Sequence, residues 1–265
     1  MRGPRSSCEN SNVPVGRCRD MSTDTETRNP ATNRHYVALR GACDTMRVRS
    51  QSPACRRLPG AHAMVEQWAR QGTKTGRGGR TNNAFLSATL QQGTDVDNIL
   101  SSSIEWLGGG LPAAEAVGRA MRGGAAVHTQ ARCRQRAADA AMAILGALHT
   151  CGLAPVDSQV PFPAPTLGVS PVADLLCVDK KGRWHLVEVK FGASGMHARG
   201  RHRARYLQQL AVQAYCAKTA GFGHIPVSCC HLVVAAARQN GGGCETRVVG
   251  LSHKMFNSIK ARLDA

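Results

Sequence analysis

Two apolar, β-branched runs, residues 172–178 and 184–191, flank the polar turn Asp179-Lys180-Lys181-Gly182-Arg183. Runs of that length joined by such a turn predict a β-hairpin, which commits this part of the chain to a sheet. Both strands carry charge among aliphatic neighbours. Asp174 sits inside the first, and Glu188 and Lys190 inside the second, beside Leu175, Leu176, Val187 and Val189. Side chains alternate across a strand, so Glu188 and Lys190 share one face, and the hairpin brings Asp174 alongside them.

The flanking segments supply the rest of a domain. Residues 84–90 and 98–107 predict short helices, broken after by Gly108-Gly109-Gly110. Pro112 then opens a long alanine-rich helical stretch through His149, with an internal break at Gly123-Gly124 and an end at Cys151-Gly152. Residues 158–162 alternate as a short strand. Residues 203–219 are helical, with Tyr206, Leu207, Leu210, Val212 and Tyr215 as apolar surface. Residues 229–237 form an apolar strand with 247–251 pairing beside it, and a terminal helix runs over about 253–263. Helix, three strands, helix, two strands, helix predicts an α/β (α+β) domain with a mixed central β-sheet flanked by helices.

That domain spans 81–265. Residues 1–80 are rich in Arg, Ser, Thr, Asn, Pro and Gly, show no sustained apolar period, and read as a basic, disordered region apart from a short helix around 61–70. Glu9, Asp20, Asp24 and Glu26 argue against a clean organelle transit peptide at its start. The formal net charge of +17 points to a polyanionic partner, nucleic acid before anionic membrane, while an aromatic content of 4% excludes base stacking as the main contact. Eleven cysteines include no CxxC pair, which argues against a zinc ribbon or a redox motif. Their odd number and the lack of a signal-peptide apolar stretch favour a reduced, intracellular compartment, and no run is long enough to span a membrane.

Ionised groups among aliphatics are costly unless paired or bound to metal. Two readings of Asp174, Glu188 and Lys190 follow. One is a structural salt bridge on a sheet face. The other is a site for Mg²⁺ or Mn²⁺, hard cations that take carboxylate oxygens, polarise a phosphodiester and lower the pKa of bound water, with Lys190 positioning that water or stabilising charge on phosphate. Arg199, Arg201, Arg203 and Arg205, in the segment between Lys190 and Gln209, read either as a phosphate clamp or as a solvated basic loop.

Asp174 followed by Glu188-Val189-Lys190 resembles the signature of the PD-(D/E)XK nuclease superfamily, with Ala173 where that family often has Pro. The wider arrangement is similar to its RecB-like branch, which includes exonucleases of the mitochondrial genome-maintenance type. Gly124-Ala125-Ala126-Val127-His128 matches a Gly-x-x-x-His motif on the helix before the sheet, and Gln209-Leu210 a Gln-Leu motif on the helix after it. The family's Tyr four residues after its Gln is Gln213 here, with Tyr215 two further on.

The resemblance implies a restriction-endonuclease-like core. It also implies a metal-dependent deoxyribonuclease, an exonuclease on DNA ends or single strands, serving repair, replication or recombination in mitochondrion or nucleus. His128, Asp174, Glu188 and the Val189 carbonyl would hold the Mg²⁺ or Mn²⁺. Asp174, Glu188, Lys190 and Gln209 would be catalytic, with Gln209 supporting Lys190 or the scissile phosphate. The competing expectation is a non-catalytic nucleic-acid-binding or regulatory protein that keeps the nuclease fold.

Overall fold

The computed structural model of the protein describes residues 30–72, 83–192, 200–223, 225–238 and 243–265. Seven α-helices and five strands occur among them, in the order α1 (Pro30–Ser50), α2 (Ala61–Gly72), α3 (Asn83–Gly108), α4 (Ala113–Arg122), α5 (Ala131–Thr150), β1 (Leu153–Pro161), β2 (Val172–Asp179), β3 (Trp184–Phe191), α6 (Arg201–Thr219), β4 (Cys230–Ala237), β5 (Cys244–Gly250) and α7 (His253–Leu263). The strands form one sheet in chain order, antiparallel at every pairing except β3 with β4. A parallel pair cannot be closed by a tight turn, and α6 is the crossover that joins these two. The mixed α/β architecture expected from the order of elements is present.

The sheet is buried on both faces. Leu175, Cys177, Val187, Val189, Val233 and Ala235 pack with Val96, Ile99 and Leu100 of α3 and with Ala141, Ile144 and Leu148 of α5. Leu176, Leu186, Leu232 and Val234 face the other way, onto Leu210 and Ala214 of α6 and Ile259 of α7. The period-2 alternation along β3 therefore holds, with Glu188 and Lys190 on the α6 side. The predicted hairpin turn is there as well: Gly182 adopts φ 73°, a left-handed conformation that glycine takes at little cost, and Asp179 Oδ1 accepts the N–H groups of Lys181 and Arg183.

Three expectations need correction. Residues 84–107 are not two short helices but one, α3, because its apolar residues from Val96 to Ile104 share a buried stripe and a single interior glycine costs a helix only about 1 kcal/mol. The break after α4 is wide, covering 123–130, so His128 lies in a connection and not on a helix. The third correction is the largest. Within 1–80 the short helix expected around 61–70 is present as α2, but residues 30–50, expected to be disordered, form α1, and Cys43 and Met46 of α1 with Ala61 and Val65 of α2 belong to the core on the α6 side. Arginines and other polar residues interrupt the apolar positions of α1, so composition concealed its narrow buried stripe. A buried ion pair reinforces it: Arg47 donates to both oxygens of Asp157 at 2.8 and 2.7 Å and to the Ser158 carbonyl at 2.8 Å. Residues 1–29 and 73–82 lie outside the described residues.

At the N-terminal ends of β3 and β4 the His185 and His231 rings meet edge to edge, 11° from coplanar, with His185 Nδ1 2.9 Å from His231 Nε2. His185 Nε2 is buried 3.5 Å from Asp179 Oδ2 and makes no hydrogen bond among the described residues. Burial lowers the proton affinity of both imidazoles, and His231, also facing His185, falls to about 4. A depressed histidine pKa means that the unfolded chain binds the extra proton first. The stability involved is complete above the ordinary value of 6.5 and is lost as pH falls towards 4. His231→Gln keeps a donor for His185 but has no proton site. Its urea stability is expected to decline less than that of the wild type between neutral pH and pH ~4.5, by on the order of 2 kcal/mol. Equal declines would show that this pair does not sense pH.

Candidate active site

The β2–β3 ladder ends at the pair Leu175 and Val187, one residue short of Asp174 and Glu188. There the Asp174 side chain takes over from backbone pairing: Val189 N–H donates to its Oδ2 at 2.8 Å. Lys190 folds back over both acids, with Nζ 2.5 Å from Glu188 Oε1 and 3.5 Å from Asp174 Oδ2. The Tyr206 ring of α6 stands 5.6 Å from that ammonium. Asp174, Glu188 and Lys190 thus converge as the hairpin required.

Glu188 is only 2% exposed, and its second oxygen accepts from Gln213 Nε2 at 2.6 Å, a donor that also reaches the Val172 carbonyl at 2.9 Å. Gln213 Oε1 is buried without a hydrogen-bond partner among the described residues. Burial, then the charge of Asp174, raise the pKa of Glu188 against the opposing pull of Lys190. For Lys190, burial opposes the ammonium, but the charges of Asp174 and Glu188 and the bond to Glu188 outweigh it and hold its pKa above the ordinary lysine value.

A third carboxylate belongs here that sequence reasoning missed. Asp97 of α3 lies close enough for its charge to act on Lys190, and its own pKa is raised by burial and then by Asp174. The available signal was an acid within the apolar part of α3, between Val96 and Ile99, legible only once the helix is continuous. Asp95, fully buried two residues earlier, accepts the N–H groups of Val127 and His128 at 3.0 and 3.1 Å. The same helix therefore carries Asp97 and anchors the connection that holds His128. His128 Nδ1 accepts from Gln130 N–H at 3.1 Å, which leaves Nε2 as the ring's other nitrogen. Among the described residues no three His, Cys, Asp or Glu side chains converge as a metal-ligand group, so His128 is not drawn into one set with Asp174 and Glu188.

The donors fit a hard divalent ion in kind. They are carboxylate oxygens, two of them within reach of one ammonium and a third, of Asp97, acting on the same point through its charge. Val189, between Glu188 and Lys190, adds a backbone carbonyl at this point of β3.

Two other expected roles move. Gln209 is 3% exposed but turned away, its Nε2 2.6 Å from His62 Nδ1 of α2. The glutamine that meets the cluster is Gln213. Arg205 follows Gln209 onto that stripe and pairs with Glu66 of α2 at 2.8 Å. Arg205 and Gln209, four apart on α6, thus meet α2, while Tyr206 and Gln213, two turns apart on the helix, meet Lys190 and Glu188. Arg201, Arg203 and Arg205 lie on α6 itself and not in a loop, and Arg199 lies outside the described residues.

No protein-family model matches this chain, and no curated protein sequence matches it. Fold and site define a mixed α/β domain with a lysine-closed acidic cluster on its central hairpin.

Proposed function

We propose that the protein is a metal-dependent nuclease that hydrolyses phosphodiesters in DNA, built on a restriction-endonuclease-like core. The observation that carries this reading is the convergence of Asp174, Glu188 and Lys190 at one point of a buried hairpin, with Asp97 beside them. Charge of that density in an apolar sheet is expensive, and a bound cation and an anionic substrate together would offset it. The net charge of +17 and the basic first turns of α6 support a polyanionic substrate. No described helix is long and apolar enough to cross a membrane.

Asp174, Glu188 and the Val189 carbonyl would hold Mg²⁺ or Mn²⁺, with the charge of Asp97 adding to the field at that point. When bound, the ion supplies Lewis acidity to the phosphodiester and a more acidic water. The chain does the rest. Gln213 fixes one oxygen of Glu188, Asp174 is fixed by the Val189 N–H, and Lys190 presents an ammonium that can orient water or meet charge developing on phosphate. Action on ends or single strands, in repair, replication or recombination, follows the resemblance to RecB-like exonucleases.

One observation favours the second reading, a nucleic-acid-binding protein with a structural cluster: Lys190 already closes on both carboxylates. Incubation with end-labelled single- and double-stranded DNA in Mg²⁺, Mn²⁺ or EDTA separates the two.

A further inference from the structure

One side chain of α6 spans the point where the central hairpin opens. The β2–β3 ladder stops at Leu175 and Val187. Beyond it, Gln213 Nε2 donates to the Val172 carbonyl of β2 at 2.9 Å and to Glu188 Oε2 of β3 at 2.6 Å. Both partners are acceptors, so the nitrogen is the end that faces them, and a turned amide would set oxygen against two oxygens. The other end is thereby fixed too. Gln213 is 3% exposed, and its Oε1 is buried with no hydrogen-bond partner among the described residues. An acceptor in that state works against the fold, and a donor that reaches it is stabilising. Gln209 gives the contrast: one turn earlier and equally buried, its amide meets His62 of α2.

The donors within the cluster are directed at its carboxylates, Lys190 Nζ at Glu188 and Asp174, and the Val189 N–H at Asp174. A hard cation brings others. Mg²⁺ gives up its waters reluctantly and binds through one or two carboxylates with several waters kept, whose O–H groups need acceptors. Oε1 sits on the same amide that holds Glu188, so it offers an acceptor beside that carboxylate without being spent on it.

We propose that Gln213 is the positioning residue of the cation site: its Nε2 holds Glu188 in place for Mg²⁺ or Mn²⁺, and its Oε1 accepts a hydrogen bond from water that the ion carries. This rests on the metal-dependent reading of the cluster and assigns the ion's outer contact to Gln213, where the sequence resemblance pointed to Gln209. Oε1 gains its partner with the ion in place, so metal binding and the orientation of Glu188 reinforce each other through one amide.

The test is Mn²⁺ binding to the full chain without nucleic acid, with free Mn²⁺ read by electron paramagnetic resonance. Outer partners of metal ligands contribute roughly 10- to 100-fold in metal affinity, so Q213M, which keeps the length and loses the amide, is expected to weaken Mn²⁺ binding by about that factor. Q209M is expected to keep the wild-type affinity, because the Gln209 amide is engaged with α2. A merely structural glutamine would lower the unfolding temperature equally with and without metal. Q213M is expected instead to lose much of the rise that Mn²⁺ gives the wild type. A second measurement needs no substitution: in wild-type protein Mg²⁺ is expected to shift the ¹³C resonance of the Gln213 side-chain carbonyl and to leave that of Gln209 in place. The proposal is overturned if folded Q213M binds Mn²⁺ like the wild type, if Q209M weakens binding as much as Q213M, or if the Gln213 carbonyl ignores Mg²⁺. Wild-type protein that takes up no Mn²⁺ refutes the metal reading itself, whereas normal uptake with an unaffected Q213M overturns only the role of Gln213.

Discussion

Lys190→Met is expected to lower DNA cleavage by roughly 10²- to 10³-fold, the scale of losing a charged group aimed at a reacting phosphate. DNA binding should survive, because phosphate contacts elsewhere on the basic surface position the strand. The variant also separates a catalytic cluster from a structural one. Lys190 is the ammonium that compensates Glu188 and Asp174, whose side chains are 3% and 15% exposed. Removing it leaves buried acids uncompensated, a loss on the order of 3 kcal/mol without metal. If the acids take Mg²⁺ or Mn²⁺, the ion restores what the ammonium supplied. The unfolding temperature of the variant should then rise on adding Mn²⁺ by more than that of the wild type. Undiminished turnover, or a variant whose stability ignores Mn²⁺, would remove Lys190 and its acids from the active site.

The second large effect concerns stability. Arg47→Ala is expected to cost about 3 kcal/mol in urea unfolding, because Asp157, 2% exposed, keeps only the N–H of Ser158 and the weak thiol donor of Cys43 when the guanidinium is gone. Removing both partners should cost less than the sum of the single changes, since the penalty of Arg47→Ala is largely the orphaned carboxylate. A near-neutral Arg47→Ala would show that the Arg47–Asp157 pair adds nothing to the fold. Cleavage is not the readout here, since Arg47 of α1 pairs with Asp157 of β1 and not with the acids of β2 and β3.

How much of this was readable from the chain varies by element. The hairpin and β4 were, because each is an apolar run with turn residues at its ends, and α6 was, from the apolar residues between Tyr206 and Tyr215. The shared face of Glu188 and Lys190 followed from the two-residue period of a strand. The choice between Gln209 and Gln213 did not. Both are polar, both are buried, and they lie one turn apart. Which of them meets Glu188 depends on how far along the hairpin α6 is seated and on α2 taking Gln209 through His62, and neither contact is encoded locally. Asp97 was hidden for a related reason: Gly93 and its polar neighbours suggested a break, and an acid becomes part of a site only when its helix is known to pack over the hairpin.

The central claim is that the acids of this hairpin hold a metal that cuts DNA. The most direct measurement is cleavage of end-labelled single- and double-stranded DNA by the wild type and by Asp174→Asn, in Mg²⁺, in Mn²⁺ and in EDTA. The account predicts products with the wild type in either metal, none in EDTA, and little with Asp174→Asn in any of the three. Cleavage in EDTA, no cleavage by the wild type under any condition, or full activity of Asp174→Asn would contradict it.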